Sequence, residues 1–551
     1  MKRRSAIKTF STGVLGLYFS NFLQAGTFLE SKHDVLNDGL FKPSWESFEQ
    51  YEVPEWFRDA KFGIWAHWGS QCEPERGDWY ARGMYQEGSD QYNYHNKKYG
   101  HPSEFGFKDV INEWKAEEWD PEALMDLYQK AGAQYFMALA NHHDNLDLYN
   151  SIHQSWNSVN LGPKKDIMQG STNAAKKRGL RFGASVHSAH ARTWFETAQR
   201  SDKTGPKKGI PYDGNLRKGE GAGKWWSGMD PQELYAQDHE LSENSKDDGM
   251  IHRQWHWDKE SGVNVPDKEY CDTFYKRTKE LIDNYEPDIL YFDDTALPLW
   301  PISRVGLQTA ADLYNKSIEK NGKVEAVING KILDEQQQEC LVWDIERGQS
   351  NKIEKEPWQT CTCIGSWHYD RRIYDNNGYK SAKTVIHMLA DVVSKNGNLL
   401  LSIPLRGSGA IDDKARKVVE DIAEWMEVNS ESLIGTRPWQ VFGEGPAQLD
   451  AAPLSDQGFN EGKGKPFTAE DIRFTIKGQN LYAIFMGWPE NNKIKIKSLG
   501  IDMPHERPDI NNAILLGHDT PLKFKCDKEG FTVQLPENYP KNGIAYSVKL
   551  G

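Results

Sequence analysis

The sequence predicts an α/β fold, a (β/α)8 TIM-like barrel followed by a small antiparallel β-sandwich. Eight short apolar runs alternate with amphipathic helical patterns between about residues 60 and 430. After Asn429 the pattern changes to short alternating strands. No Gly-rich dinucleotide fingerprint follows any of the eight runs, which disfavours the open doubly wound sheet.

The predicted barrel strands are 61–67, 133–140, 180–187, 288–293, 324–329, 340–345, 359–364 and 397–403. Most are continuously apolar between polar or Gly residues, as strands buried on both faces must be. Helices are predicted between them. One starts at Asp120-Pro121-Glu122, with Asp120 as N-cap and Pro121 in the first turn. Others span 267–284, 380–395 and 412–428. Residues 195–265 hold no long periodic element and read as an insertion after the third strand, placed where it can wall or cover a substrate. The barrel is assigned to 40–436 and the sandwich to 437–551. The stretch around GTRPW and GEGP reads as turn-rich, and the later alternating segments read as strands.

Residues 1–26 read as an export signal. A basic start with Arg3-Arg4 precedes a short apolar run and a small-residue end, in a twin-arginine-like arrangement. The expected location is periplasmic or secreted, and no other stretch has the length and apolarity of a membrane span. The chain has 551 residues and a formal net charge of −13, which excludes nucleic acid as the main partner. Its composition includes 20 Trp, a surplus that suits stacking on sugar rings or plain aromatic packing. The six cysteines show no disulfide framework. Cys361 and Cys363, two apart on one strand, are read as packing residues.

In such a barrel the C-terminal strand ends carry the chemistry. His67 ends the first strand, His142 and His143 follow the second, and His187 ends the third. Asp293 and Asp294 end the fourth, and Glu346 ends the sixth. A metal site is the first chemistry open to this set, and the ligand spacing disfavours it. The adjacent His142 and His143 would diverge on an extended chain, and His252 and His256 lack the adjoining Glu of a helical zinc motif. No metal or cofactor is expected. The alternative chemistry is a carboxylate pair, Asp293 with Glu346, for glycoside cleavage, with imidazoles and Trp79 holding the sugar.

The chain resembles glycoside hydrolase family 29, the α-L-fucosidases, over nearly the whole mature length. The resemblance rests on Trp56-Phe57 through Ala60-Lys61-Phe62-Gly63-Ile64 to His67-Trp68-Gly69, and on Asn141-His142-His143-Asp144. It continues through Tyr291-Phe292-Asp293, Trp358-Gln359-Thr360 with Ser366-Trp367-His368-Tyr369, and Val393-Ser394-Lys395-Asn396-Gly397-Asn398-Leu399-Leu400-Leu401. It implies a retaining double displacement on an oligosaccharide or polysaccharide, with Asp293 as nucleophile. Glu346 is the choice for acid/base, with Glu354 and Glu356 as rivals. Asp294 is expected to be a structural cap. His67, Trp79, His142 and His143 match the family's sugar ligands, and Trp367 an aromatic near the site; His187 joins them as a strand-end residue. The chain departs from the family at Asn141, at Asp78 before Trp79, at Ser185-Val186, at Asn329-Gly330-Lys331 and at His368. Those changes surround the pocket, so an α-L-galactosidase acting on algal-type galactans, sulfated or unsulfated, is the alternative to the α-L-fucosidase. A metal-dependent barrel hydrolase and a non-catalytic sugar-binding barrel are the remoter readings.

Overall fold

A computed structural model describes residues 39–243, 257, 262–447 and 460–551. The export segment and the pair His252 and His256 lie outside the described residues. Eight parallel strands close a barrel: β1 (Phe62–Ala66), β2 (Tyr135–Asn141), β3 (Arg181–Val186), β4 (Ile289–Phe292), β5 (Val327–Gly330), β6 (Val342–Glu346), β7 (Trp358–Cys363) and β8 (Gly397–Ser402). Each pairs with its neighbour in sequence, and β1 also pairs with β8, so no edge remains. All eight coincide with predicted runs.

The helices begin where the sequence provides a cap. Asp120 accepts the Ala123 N–H at 3.0 Å at the head of Pro121–Lys130, and Asp267 caps Lys268–Tyr285 through Tyr270 at 2.9 Å. Asp412 does the same for Asp413–Asn429 through Ala415.

Beyond the barrel lie β9 (Arg437–Glu444), β10 (Ile472–Lys477), β11 (Asn480–Phe485), β12 (Lys493–Ile496), β13 (Ala513–Leu515), β14 (Phe524–Asp527), β15 (Gly530–Gln534) and β16 (Tyr546–Leu550). They form a five-stranded sheet in the order β13-β16-β11-β10-β9 and a three-stranded sheet β12-β15-β14. The turn-rich reading of the GTRPW–GEGP stretch gives way to strand β9. Its Pro438 is tolerated because β9 is an edge strand with one side unpaired. The sheet packs on the helix Ala382–Ser394, where buried Arg473 meets Asp391 at 2.5 Å and Asp391 meets Lys395 at 2.7 Å. Trp425, on the last barrel helix, donates to the Ala545 carbonyl across the same boundary.

The Trp surplus is mostly core: Trp114, Trp156, Trp194, Trp358 and Trp425 are fully buried. All six cysteines are free. Among the described residues no helix is long and apolar enough to cross a membrane.

One polar network fixes the barrel mouth. Asn141, the last residue of β2, donates its side-chain Nδ2 to Asp147 at 2.9 Å, and its side-chain Oδ1 accepts the N–H groups of His187 and Ser188, both at 3.1 Å. Arg277, from the helix behind β4, clamps Asp147 with two nitrogens at 3.0 and 2.6 Å and bonds the Asn145 side chain at 2.6 Å. The ends of β2 and β3, which carry the three histidines His142, His143 and His187, are thereby tied together. Asp147 is fully buried, so removing its cation leaves an uncompensated charge. Arg277→Met is expected to lower stability by about 3–5 kcal/mol, read as a shift of the denaturant midpoint followed by circular dichroism. An unchanged midpoint would show that the pair carries no stability.

Candidate active site

The strand ends enclose a cavity of about 490 Å³. Asp293, Glu346, His67, Trp79, His142, His187 and Trp367 all line it, from five different strand ends and the loops after β1 and β7. His143 stands behind the wall, fully buried, and reaches Asp293 from there. The rivals Glu354 and Glu356 lie outside it, with Glu354 accepting from Ser350. Asp294 borders the cavity but is committed to backbone. It accepts the N–H groups of Thr295 at 2.7 Å and Leu299 at 3.2 Å, with His190 at 3.2 Å on its other side.

Three groups converge on Asp293. His143 Nε2 is 3.0 Å and His187 Nδ1 3.4 Å from Oδ2, and Lys331 Nζ is 2.5 Å from Oδ1. The same Lys331 ammonium is 2.5 Å from Glu346 Oε2. Burial alone would push the Asp293 carboxyl up; the Lys331 charge and the hydrogen bonds from His143 and His187 more than reverse that and hold it well below the usual carboxylate range. Burial likewise opposes the charge on Lys331, and the two carboxylates override it and raise the ammonium well above its ordinary value. Both ring nitrogens of His143 face acceptors, Asp293 and the His187 carbonyl at 2.7 Å, and a neutral ring can donate to only one of them.

Burial keeps three of the cavity's imidazoles neutral. Burial lowers His67 and His142 well below the ordinary histidine value, and lowers His187 to about 4 against the pull of Asp293. His142 Nδ1 accepts from Gln71 Nε2 at 2.9 Å, which places its ring proton on Nε2. On the opposite wall Asp78 binds the loop after β7, accepting from Ser366 at 2.9 Å and from the His368 N–H at 2.7 Å. Trp65, Tyr291 and Trp367 form an apolar wall, with ring centroids 4.6 Å apart for Trp65–Tyr291 and 6.0 Å for Trp65–Trp367. The Tyr291 hydroxyl turns away from the cavity to donate to Asp344 at 3.1 Å.

Some expectations need correction. His142 and His143 do not diverge. β2 ends at Asn141 and the chain turns at once, so their rings lie 4.5 Å apart, and with His187 they offer ligand atoms all within 4.8 Å of one another. In the arrangement described here two of those rings are directed at Asp293. The insertion contributes no described residue to the cavity lining. Trp226 is buried against Gly221, and Trp225 donates to Asp109. Trp257 stacks on His190, with centroids 4.4 Å apart.

Sequence reasoning noted Lys331 only as a departure from a motif. Applying the strand-end rule to β5 would have found it, since β5 ends at Gly330. Gly330 itself has no room for a side chain: a Cβ would come within 2.8 Å of the Ala296 carbonyl oxygen. Arg347 and Glu461, also on the cavity wall, carried no sequence signal.

The alpha-L-fucosidase profile matches residues 28–431, and the alpha-L-fucosidase C-terminal domain profile matches 465–550. Human tissue alpha-L-fucosidase is 25% identical over 527 residues, covering 93% of this chain and 91% of that protein. A Thermotoga maritima alpha-fucosidase in complex with a mechanism-based inhibitor is similar in structure, with TM-score 0.66 and 24% identity over 93% of this chain and 99% of that one. A family 29 alpha-L-fucosidase from Bacteroides thetaiotaomicron, described as a trapped covalent intermediate, has TM-score 0.57 and 14% identity over 94% of this chain and 97% of that one.

Removing the ammonium from the pair has a definite sign. Lys331→Met raises the Asp293 pKa, so the ionised carboxylate is lost at a higher pH on acidification. The acid limb of the kcat/KM profile is therefore expected to move to higher pH. A limb that stays in place would show that Lys331 does not set the charge state of Asp293.

Proposed function

The chain belongs to the α-L-fucosidase family, glycoside hydrolase family 29, and on that premise we propose that it is an exo-acting retaining hydrolase that removes terminal α-L-fucose from glycans or polysaccharides. The observation that carries the mechanism is the shared ammonium. Because Lys331 Nζ is 2.5 Å from an oxygen of each carboxylate, those two oxygens are at most twice that distance apart. Inverting enzymes separate the two carboxyl groups by roughly 6.5–9.5 Å to admit a water, and retaining enzymes by roughly 5–5.5 Å. Asp293 and Glu346 fit the second class, in keeping with the trapped covalent intermediate of the Bacteroides relative.

Asp293 attacks the anomeric carbon and Glu346 gives its proton to the leaving oxygen. Glu346 then takes a proton from the water that hydrolyses the glycosyl ester. His67, His142 and His187, kept neutral by burial, can donate to and accept from sugar hydroxyls. The N-terminal segment Met1–Gly26 supports export of the enzyme.

The apolar wall of Trp65, Tyr291 and Trp367 supports fucose over L-galactose. The two sugars differ only in a hydroxyl on C6, and a hydroxyl set against aromatic rings loses its water without gaining a partner. His368, where the family has Gly, fills space at this end of the cavity.

Asp293→Asn is expected to lower turnover of an aryl α-L-fucoside by about a thousandfold or more, with an unchanged circular dichroism spectrum. Full activity in that variant would remove Asp293 from the nucleophile role. Glu346→Gly should be rescued by azide, yielding an α-L-fucosyl azide by attack on the glycosyl-enzyme; an azide-insensitive variant with normal activity would shift the acid/base elsewhere. For the substrate, kcat/KM on an aryl α-L-fucoside should exceed that on the matching α-L-galactoside by about ten- to a hundredfold. The reverse preference would make the enzyme an α-L-galactosidase.

A further inference from the structure

We propose that Glu461 and Arg347 form the leaving-group side of the pocket and recognise the hydroxyls of the sugar unit to which the fucose is attached. The inference rests on the fucosidase reading and extends it to the neighbouring sugar.

Glu461 lies far outside the barrel sequence, between β9 and β10. Three hydrogen bonds lay its segment along the loop that leaves β6 directly after Glu346. The Glu461 N–H donates to the Arg347 carbonyl at 2.9 Å, the Gln349 N–H donates to Asn460 Oδ1 at 2.8 Å, and Asn460 Nδ2 donates to the Gln349 carbonyl at 3.0 Å. The carboxylate of Glu461 then faces Arg347 Nε at 3.2 Å, Lys380 Nζ at 2.6 Å and the Thr362 hydroxyl at 3.0 Å. Glu461 and Arg347 both line the cavity that holds Asp293 and Glu346.

The position of Glu346 decides what that wall meets. An acid that protonates the glycosidic oxygen must stand beside it, so the unit carried by that oxygen extends on the Glu346 side. Arg347 follows Glu346 directly, in a left-handed backbone conformation with φ 47°. Its side chain is 42% exposed, and a guanidinium has five N–H donors, so the Nε bond to Glu461 leaves others for a ligand. The charge of Glu461 is matched by Arg347 and Lys380, which suits neutral hydroxyls rather than an acidic substituent. A carboxylate beside a guanidinium supplies acceptors and donors together, which is what a vicinal pair of hydroxyls requires.

The test compares kcat/KM on an aryl α-L-fucoside with that on a panel of α-L-fucosyl disaccharides of different linkage, for the full-length wild type, Glu461→Ala and Glu461→Gln. The ratio of the preferred disaccharide to the aryl fucoside is expected to fall about tenfold or more in Glu461→Ala. Glu461→Gln, which keeps the shape and one acceptor oxygen, should recover part of it. If Glu461→Ala does not fold, the Glu461→Gln ratio carries the same test. Equal losses on both substrates, or an unchanged ratio, would overturn the inference, as would a wild type that cleaves the aryl fucoside but no disaccharide. A wild type inactive on the aryl α-L-fucoside would overturn the fucosidase reading and this inference with it.

Discussion

One ammonium between two carboxylates governs the site. Lys331 is within 2.5 Å of both Asp293 and Glu346, and among the described residues it is the only cation that touches the two. In the retaining reaction proposed above, one negative charge moves back and forth between these groups. At the start it sits on Asp293 while Glu346 carries a proton. Once the glycosyl ester forms, Asp293 is neutral and Glu346 is charged. A cation in contact with both can stabilise the charge wherever it stands, without a change in the total. It also holds the two oxygens within one lysine head of each other, so the electrostatic and the geometric requirements have the same source.

The barrel makes this contact possible without long-range reach. Asp293, Lys331 and Glu346 come from β4, β5 and β6, three successive strands paired in parallel register. Parallel closure brings each strand end beside the next, so adjacent ends need only short side chains to meet. The turn into each following loop is abrupt: Ile332 and Arg347, which follow Lys331 and Glu346, both have positive φ, at 53° and 47°. For a β-branched residue such as Ile332 that conformation is unfavourable by roughly 1–2 kcal/mol. The surrounding packing carries it, and the strain sits where the chain must leave the cavity at once.

Much of this was readable in the residues. Short apolar runs located all eight strands, because their length, their Gly or polar boundaries and the amphipathic helices between them decide what periodicity alone leaves open. Their C-terminal ends then nominated Asp293, Glu346 and the histidines. What the pattern could not supply was direction. His142 and His143 looked divergent because alternation was assumed past the end of β2, and the turn after Asn141 cancels it. The insertion looked like a wall because loops after barrel strands face the site, yet Trp226 turned inward to the packing. β9 looked like turn because Pro438 and its Gly neighbours are turn formers, and only its edge position makes a strand acceptable there. Glu461 was out of reach altogether. Its contact with the barrel mouth joins residues more than a hundred positions apart, and nothing in a local window marks that pairing.

The division of labour among the polar groups follows from burial. His67 and His142 sit where water is excluded, and an imidazolium there would be costly, so the rings stay neutral and keep one donor and one acceptor each. Sugar hydroxyls, which both donate and accept, are matched by such rings and poorly matched by a cation that only donates. Lys331 is also largely covered, but two carboxylates compensate it, and there the charge is retained. The pocket thus separates a region of neutral two-way hydrogen bonding from a region of fixed charge. The boundary runs through His143 and His187, whose rings lie among the neutral histidines while their nitrogens point at Asp293. In the proposed reaction the neutral side suits the hydroxyls of a pyranose and the charged side its anomeric carbon, so the same burial that separates the two regions would also orient the sugar.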